Sequence, residues 1–261
     1  MNDSEVKQYW EQNAEAWTAL SRAGYDKYRD AVNTPAFLKM LPDVKGLTGL
    51  DIGCGEGHNT RLVAQRGAML TGIDISDTFI RHAKAKEAEQ SFGIKYFTSS
   101  GQSIEFAKNS FDFCMATMSL MDMPDPLKAI AEAYRVIKPG GFFQFSITHP
   151  CFATPKWQWQ RDETGRKSAI LCGDYFVSQN GRIDQWIFGA APESEKSKYP
   201  LFKIPRFTMI LSDWINNLIK TGFLIEELCE PCPDETTAKQ YPEIADAAIV
   251  AYFLIIRCRK P

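Results

Sequence analysis

The chain has 261 residues, 44% of them hydrophobic, 12% aromatic and 24% charged, with a formal net charge of -2. That is ordinary globular composition, with room for one large α/β domain or two small ones. Thirty basic residues against 32 acidic ones leave no excess to offset phosphates, which argues against a nucleic-acid partner. No apolar run approaches the roughly 20 residues that span a bilayer, so no membrane partner is expected. The opening MNDSEVKQYW lacks the basic-then-apolar pattern of a signal peptide. Seven scattered cysteines do not suggest a disulfide framework, and a reducing cytoplasm is the expected location. Cys229-Glu-Pro-Cys232 is a CxxC without a second ligand pair or a redox-motif context, so no metal is expected. All six tryptophans avoid the stretch Leu47–Thr148.

Residues 2–40 read as helical, with Val6, Tyr9, Trp10, Asn13 and Trp17 on one face at three- and four-residue spacings. Thr34 is the expected N-cap of a helix over Ala36–Leu41, with Pro35 in its first turn. Strands and helices then alternate. Strands are expected at Leu47–Ile52, Ala68–Ile73, Ile94–Thr98, Phe111–Thr117 and Phe142–Thr148. Helices are expected at Asn59–Arg66, Thr78–Ser91 and Pro126–Val136. This alternation predicts right-handed crossovers and a parallel sheet covered on both faces. Residues 149–206 hold turn residues, charges and isolated aromatics without sustained periodicity. A helix at Ile210–Thr221 and strands at Phe223–Leu228 and Ala247–Arg257 complete the pattern. The expectation is a single domain, 1–261. It has an N-terminal helical cap (1–42), a cofactor-binding core (47–148), a covering insert (149–206) and a C-terminal part finishing the sheet (207–261).

The segment Leu50-Asp51-Ile52-Gly53-Cys54-Gly55-Glu56-Gly57 turns a buried strand into a helix start, and its glycines let a ligand approach bare backbone. Its G-x-G-x-G spacing departs from the dinucleotide fingerprint G-x-G-x-x-G. Asp51, two positions before the first glycine, would repel a pyrophosphate. Asp74 ends the next strand, 21 residues after Gly53, where a carboxylate can accept from both hydroxyls of a ribose. A ligand with a ribose and a cationic amino group but no phosphate fits. S-adenosylmethionine is such a ligand.

Leu50–Gly57 resembles the first motif of class I S-adenosylmethionine-dependent methyltransferases, and Gly72-Ile73-Asp74-Ile75-Ser76 resembles the second. Ser110-Phe111-Asp112-Phe113 with Met121-Asp122-Met123-Pro124-Asp125 is similar to their fourth-strand segment. Arg135-Val136-Ile137-Lys138-Pro139-Gly140-Gly141 is similar to their turn into the fifth strand. The resemblance implies a Rossmann-like, doubly wound, seven-stranded and mainly parallel sheet whose last strand is antiparallel. It also implies S-adenosylmethionine as cofactor and S-adenosylhomocysteine as product. Gly53, Cys54 and Gly55 would contact the methionyl part and ribose, Asp51 the amino group, directly or through water, and Asp74 with Ile75 the ribose side. The loop after the third strand carries Ser100 where the family has an aspartate for the adenine amine. Ser100 or Gln102 would substitute, with the N–H of Gly101. Met118 and Ser119 would border the transferred methyl. The N-terminal segment folds over the cofactor in related enzymes, so Tyr28 and Arg29 would reach it, the arginine pairing with the methionyl carboxylate.

His149-Pro150-Cys151-Phe152, Tyr175-Phe176, Trp186 and Arg206-Phe207-Thr208 are similar to a subgroup of small bacterial methyltransferases in which this segment covers the acceptor pocket. Tyr9, Trp17, Tyr175, Trp186 and Arg206 are the substrate-binding candidates, with helix packing as the other reading of Tyr9 and Trp17. His149 lies past the fifth strand, where open α/β sheets bind ligands. It reads either as a general base or as a structural histidine bonding backbone, and Asp122 is an alternative base. His82 reads as a solvated surface residue and His58 as peripheral. The function expected is methyl transfer to a small-molecule acceptor by in-line displacement, by a monomer or homodimer. The alternatives are an RNA or protein methyltransferase, or a non-catalytic cofactor-binding protein.

Overall fold

The computed structural model describes every residue except Thr208, so the end of the Arg206–Thr208 motif lies outside the described residues. Helix α1 (Asp3–Arg22) starts at a capping box. The Asn2 side chain accepts from the Glu5 amide at 3.1 Å and the Glu5 carboxylate accepts from the Asn2 amide at 2.7 Å. One π-helical turn, Arg29–Asn33, runs straight into α2 (Thr34–Met40). Thr34 therefore has helical backbone rather than an N-cap conformation, and its hydroxyl bonds Asn59 Oδ1 at 2.9 Å instead.

The alternating run is then β1 (Thr48–Ile52), α3 (His58–Ala64), β2 (Met69–Asp74), α4 (Asp77–Glu89), β3 (Lys95–Thr98), β4 (Phe111–Thr117), α5 (Pro126–Val136) and β5 (Ile137–Thr148). The insert holds β6 (Lys156–Arg161), β7 (Lys167–Gly173), β8 (Asn180–Trp186), α6 (Glu193–Lys196) and β9 (Phe202–Phe207). After it come α7 (Leu211–Thr221), β10 (Leu224–Cys229), α8 (Glu235–Gln240) and β11 (Phe253–Arg259). One seven-stranded sheet has the order β10-β11-β5-β4-β1-β2-β3, with β11 antiparallel to both its neighbours. Its chain order reverses beside β1, between β4 and β2, and ligands of open α/β sheets bind at such a switch point.

The strands are apolar almost throughout because both faces are covered. On one face Leu50, Ile52 and Phe143 pack against Ile130 and Ala133 of α5 and Trp214 and Leu218 of α7. On the other Phe113, Met115 and Phe142 meet Phe37 of α2, Val63 of α3 and Ile80 of α4. The fifth strand begins earlier than the turn residues suggest: Ile137 already pairs with Phe111, and the Lys138–Gly141 turn is a bulge inside the strand. The last strand begins later. Pro242–Ala248 is a 3-10 helix that buries Ile244 and Ala247 beside Val32 and Phe253, so the strand expected from Ala247 starts at Phe253.

The aperiodic stretch resolves into two antiparallel pairs, β6–β7 and β8–β9. Helix α1 lies along β9, where Asn13 exchanges two hydrogen bonds with the backbone of Lys203, at 2.9 and 3.0 Å. Among the described residues, no helix is long and apolar enough to cross a membrane.

Candidate active site

A cavity of about 630 Å³ opens at the carboxyl ends of β1, β2 and β4, roofed by α1 and by residues of the insert. The glycine loop forms its floor. Gly53, Gly55 and Gly57 all have left-handed backbone, with φ of 74°, 55° and 83°. A Cβ on Gly53 would stand 2.4 Å from that of Ser119, whereas one on Gly55 would project into open space. The loop is tied to β2: the amides of Gly53 and Cys54 both donate to the Ile73 carbonyl, at 2.8 and 2.9 Å. Glu56, buried at its tip, is held by Arg22 of α1 at 2.8 Å and Arg61 of α3 at 3.1 Å.

Asp74 lines the cavity at the end of β2 and accepts from the amides of Gly55 at 2.8 Å and Ser76 at 2.9 Å. Burial raises its pKa to about 6, against the lowering effect of those two bonds. Asp51 is wholly buried at the end of β1 and does not reach the cavity wall. One of its oxygens accepts from Thr60 at 2.6 Å and the other has no hydrogen-bond partner among the described residues. Burial pushes its pKa up to about 7, and the neighbouring Asp74 adds to the rise. Of the two expected modes of Asp51 toward an amino group, direct or through water, the direct one does not match this placement, because Asp51 stands behind the loop. Two carboxylates without a basic partner make the floor a place for hydroxyl donors and a cation.

Cys54, Gly55, Ile75, Ser100, Gly101, Gln102, Met118 and Ser119 all line the cavity. Met118 adopts a left-handed backbone, φ 55°, right after β4. Ser119 donates to the Ile52 carbonyl at 2.6 Å, which locks this turn onto the glycine loop. Tyr28 and Arg29 also line the cavity, and each has a carboxylate partner. The Tyr28 hydroxyl donates to Asp246 at 2.6 Å, and Arg29 donates to Asp30 at 2.8 Å and lies 3.9 Å from Asp26. The carboxylate pair contacts the Nε of the guanidinium that was expected to bind the methionyl carboxylate.

Beyond Met118 the walls turn aromatic. Trp17 stands amid Trp10, Trp186, Phe188 and Phe202, with ring centroids 4.9–5.6 Å away. Trp10, Trp17, Trp186 and Phe188 face the cavity. Arg206 and Asp122 face it too, 3.8 Å apart, with Arg206 also paired to Asp184 at 3.0 Å. Asp122 is buried, one of its oxygens has no hydrogen-bond partner among the described residues, and burial raises its pKa to about 7 in spite of Arg206.

Three of the expected site residues, His149, Tyr9 and Tyr175, do not line the cavity. His149 is buried outside the wall, its Nε2 2.7 Å from Glu230 and its Nδ1 accepting from the Cys151 amide at 3.2 Å. With Nδ1 accepting, Nε2 carries the proton toward Glu230, and no nitrogen is left to take a substrate proton. It pins the turn after β5. Tyr9 lines neither this cavity nor the neighbouring groove, and Tyr175 lines only that groove, where its hydroxyl accepts from the Leu211 amide at 2.9 Å. His82, expected to be solvated, contacts Glu15 of α1 at 2.8 Å. His58 lines the cavity, and burial, then Arg29, lowers its pKa to about 4, so it is neutral. No cluster of potential metal ligands occurs among the described residues.

Residues 50–145 match the model of the family described as methyltransferase domain. Over these residues the chain carries a methyltransferase domain, and its seven-stranded sheet is the fold of class I S-adenosylmethionine-dependent methyltransferases. A solved structure of an S-adenosylmethionine-dependent methyltransferase from Mesorhizobium loti superposes with a TM-score of 0.69 at 27% identity, covering 86% of this chain and 96% of that one. Among curated relatives, the malonyl-[acyl-carrier protein] O-methyltransferase of Pectobacterium atrosepticum is 28% identical over 159 residues, 59% of this methyltransferase and 61% of that protein. The ubiquinone biosynthesis O-methyltransferase of Saccharophagus degradans is 37% identical over 100 residues, 37% of this chain and 42% of that protein. The chain thus spans about half the length of these two relatives. The family's cofactor is S-adenosylmethionine, and the site's own chemistry fits it. Bare backbone at Gly55 leaves room for a ligand, Asp74 offers acceptors for a ribose, and the orphaned Asp51 oxygen supplies negative charge near an ammonium.

Proposed function

We propose that this chain transfers a methyl group to a small, partly aromatic or apolar acceptor that loses a proton in the reaction. The single observation that carries this reading is the shape of the cavity: a glycine-and-carboxylate floor continues into an aromatic chamber holding the buried Asp122. S-adenosylmethionine, when bound, would supply a methyl already activated on a sulfonium. Gly53, Cys54 and Gly55 would carry its methionyl part on backbone, Asp74 its ribose hydroxyls, and Met118 with Ser119 would border the methyl.

The chain's own task is then to position, to dry and to deprotonate. Alignment of the acceptor can supply roughly 7–11 kcal/mol of the barrier. Trp17, Trp186 and Phe188 offer broad, stiff surfaces for an apolar acceptor and exclude water. Asp122 accepts the acceptor's proton, as its ordinary carboxylate acidity has been weakened by burial toward neutral pH. Arg206 steadies the charge that appears. The names of the two O-methyltransferase relatives support an oxygen acceptor. The near-neutral charge speaks against RNA.

The test is incubation of the protein with methyl-labelled S-adenosylmethionine and panels of phenols, enols and carboxylic acids, beside bulk RNA and protein. Label in a small molecule is the expected result. Label retained only in RNA or protein would overturn the reading.

A further inference from the structure

The part of the cavity beside the loop after β3 suits a flat heterocycle. Ile75, Phe79 and Met123 give it apolar sides. Its rim is polar, made of Ser100 and Gln102 from the loop after β3 and of Asp3 from the first turn of α1. The loop continues directly from the ribose-side acid, since the Ser99 amide donates to the Asp74 carbonyl at 2.9 Å.

Asp3 is the rim's one carboxylate, and it is aimed. The Asp125 amide donates to Gln102 Oε1 at 2.6 Å, which fixes the amide flip and turns Nε2 toward Asp3. The Ser100 hydroxyl donates to the other Asp3 oxygen, and itself accepts from the Gln102 amide at 3.1 Å. Two donors orient the carboxylate and leave it spare lone pairs, because an ionised carboxylate offers about four acceptor sites. Behind the loop there is no slack: a Cβ on Gly101 would stand 2.7 Å from Ile52 and 2.9 Å from Met123. An adenine edge presents an exocyclic amine, a donor that matches an oriented carboxylate and no other group on this rim as well.

We propose that Asp3, carried by the N-terminal helix, reads the adenine amine, so that α1 closes the site and also supplies its base-specific contact. This rests on the cofactor reading of the cavity given above. The Lys7–Asp77 pair at 2.7 Å and the Glu11 contact to Ser76 at 2.7 Å hold α1 in place one and two turns further on. Asp3 therefore stays at the slot even when its own side chain is changed.

The test is calorimetric titration with S-adenosylhomocysteine and with its 6-deamino analogue, in which purine replaces adenine. Wild type should prefer the adenosyl compound about tenfold or more, the effect of one hydrogen bond to a charged group. In Asp3→Ala that preference should collapse toward unity. Asp3→Ala combined with Ser100→Asp, which puts an acid on the loop at the same spot, should restore it. An unchanged preference in Asp3→Ala, or equal weakening of both ligands without rescue, would overturn the proposal while leaving the cofactor site standing. Binding of neither ligand by folded wild type would overturn both.

Discussion

At the scale of single residues, the structure separates carboxylates by what surrounds them. Asp74→Ala should weaken S-adenosylhomocysteine by about 1.5–3 kcal/mol, the range for a hydrogen bond to a charged group, as read by calorimetry. Asp122→Asn should lower turnover about 10²- to 10⁴-fold, whereas His149→Gln should leave turnover within a few-fold and act on thermal stability instead. The raised pKa of Asp122 also has a stability consequence. Its folded value, about 7, lies above that of an unfolded aspartate, so the native state holds the proton more tightly. That contribution is complete below about pH 4 and is lost as the pH rises through about 7. The Tm of Asp122→Asn should therefore gain on wild type between pH 4 and pH 7; a constant gap would contradict the assignment. The glycine loop and Asp74 were legible in the sequence because a backbone cradle and its acid lie within one βαβ unit. His149 misled because its position past β5 is right but its ring direction is set by Glu230 and the Cys151 amide, far apart or too local to show as a motif.

At the scale of elements, α1 is the part whose role depends on long-range pairing. It presents Lys7, Glu11 and Glu15 at four-residue intervals to α4, meeting Asp77, Ser76 with Thr78, and Arg81 with His82. Glu11 matters most among these, because it bonds the Ser76 side chain that caps α4 and the Thr78 amide within the first turn. Glu11→Ala should cost about 0.5–2 kcal/mol in urea unfolding at pH 7, comparable with the loss of a cap. Salt should erode the outer pairs more than this inner one. Periodicity announces helix over residues 2–40, of which Asp3–Arg22 is α1, but it does not say which rings of the apolar face pack and which, like Trp10 and Trp17, line the cavity. It cannot announce Asp3 or Glu11, which are ordinary first-turn and polar-face residues until α4 and the loop after β3 stand opposite. The same holds for the insert: β6 to β8 are short with few buried residues, and β9 is buried but interrupted by Pro205, so none shows an alternation strong enough to read as a strand.

At the scale of the whole molecule, the uneven spread of tryptophans follows the division of labour. The sheet core from Leu47 to Thr148 needs glycines, β-branched residues and phenylalanines, and holds no tryptophan. Trp10, Trp17 and Trp186 come from the helix and the insert that meet over the far half of the cavity, while Trp214 packs α7 under the sheet. Only the meeting of α1 with β9 makes a chamber of them, and that meeting is a tertiary fact. The central claim is that this floor of glycines and carboxylates holds S-adenosylmethionine. Its most direct test is calorimetric titration of the folded protein with S-adenosylhomocysteine. The account predicts one site per chain with micromolar affinity, lost or strongly weakened in Asp74→Ala. Absence of binding by folded wild type, or binding that is unaffected in Asp74→Ala, would contradict it.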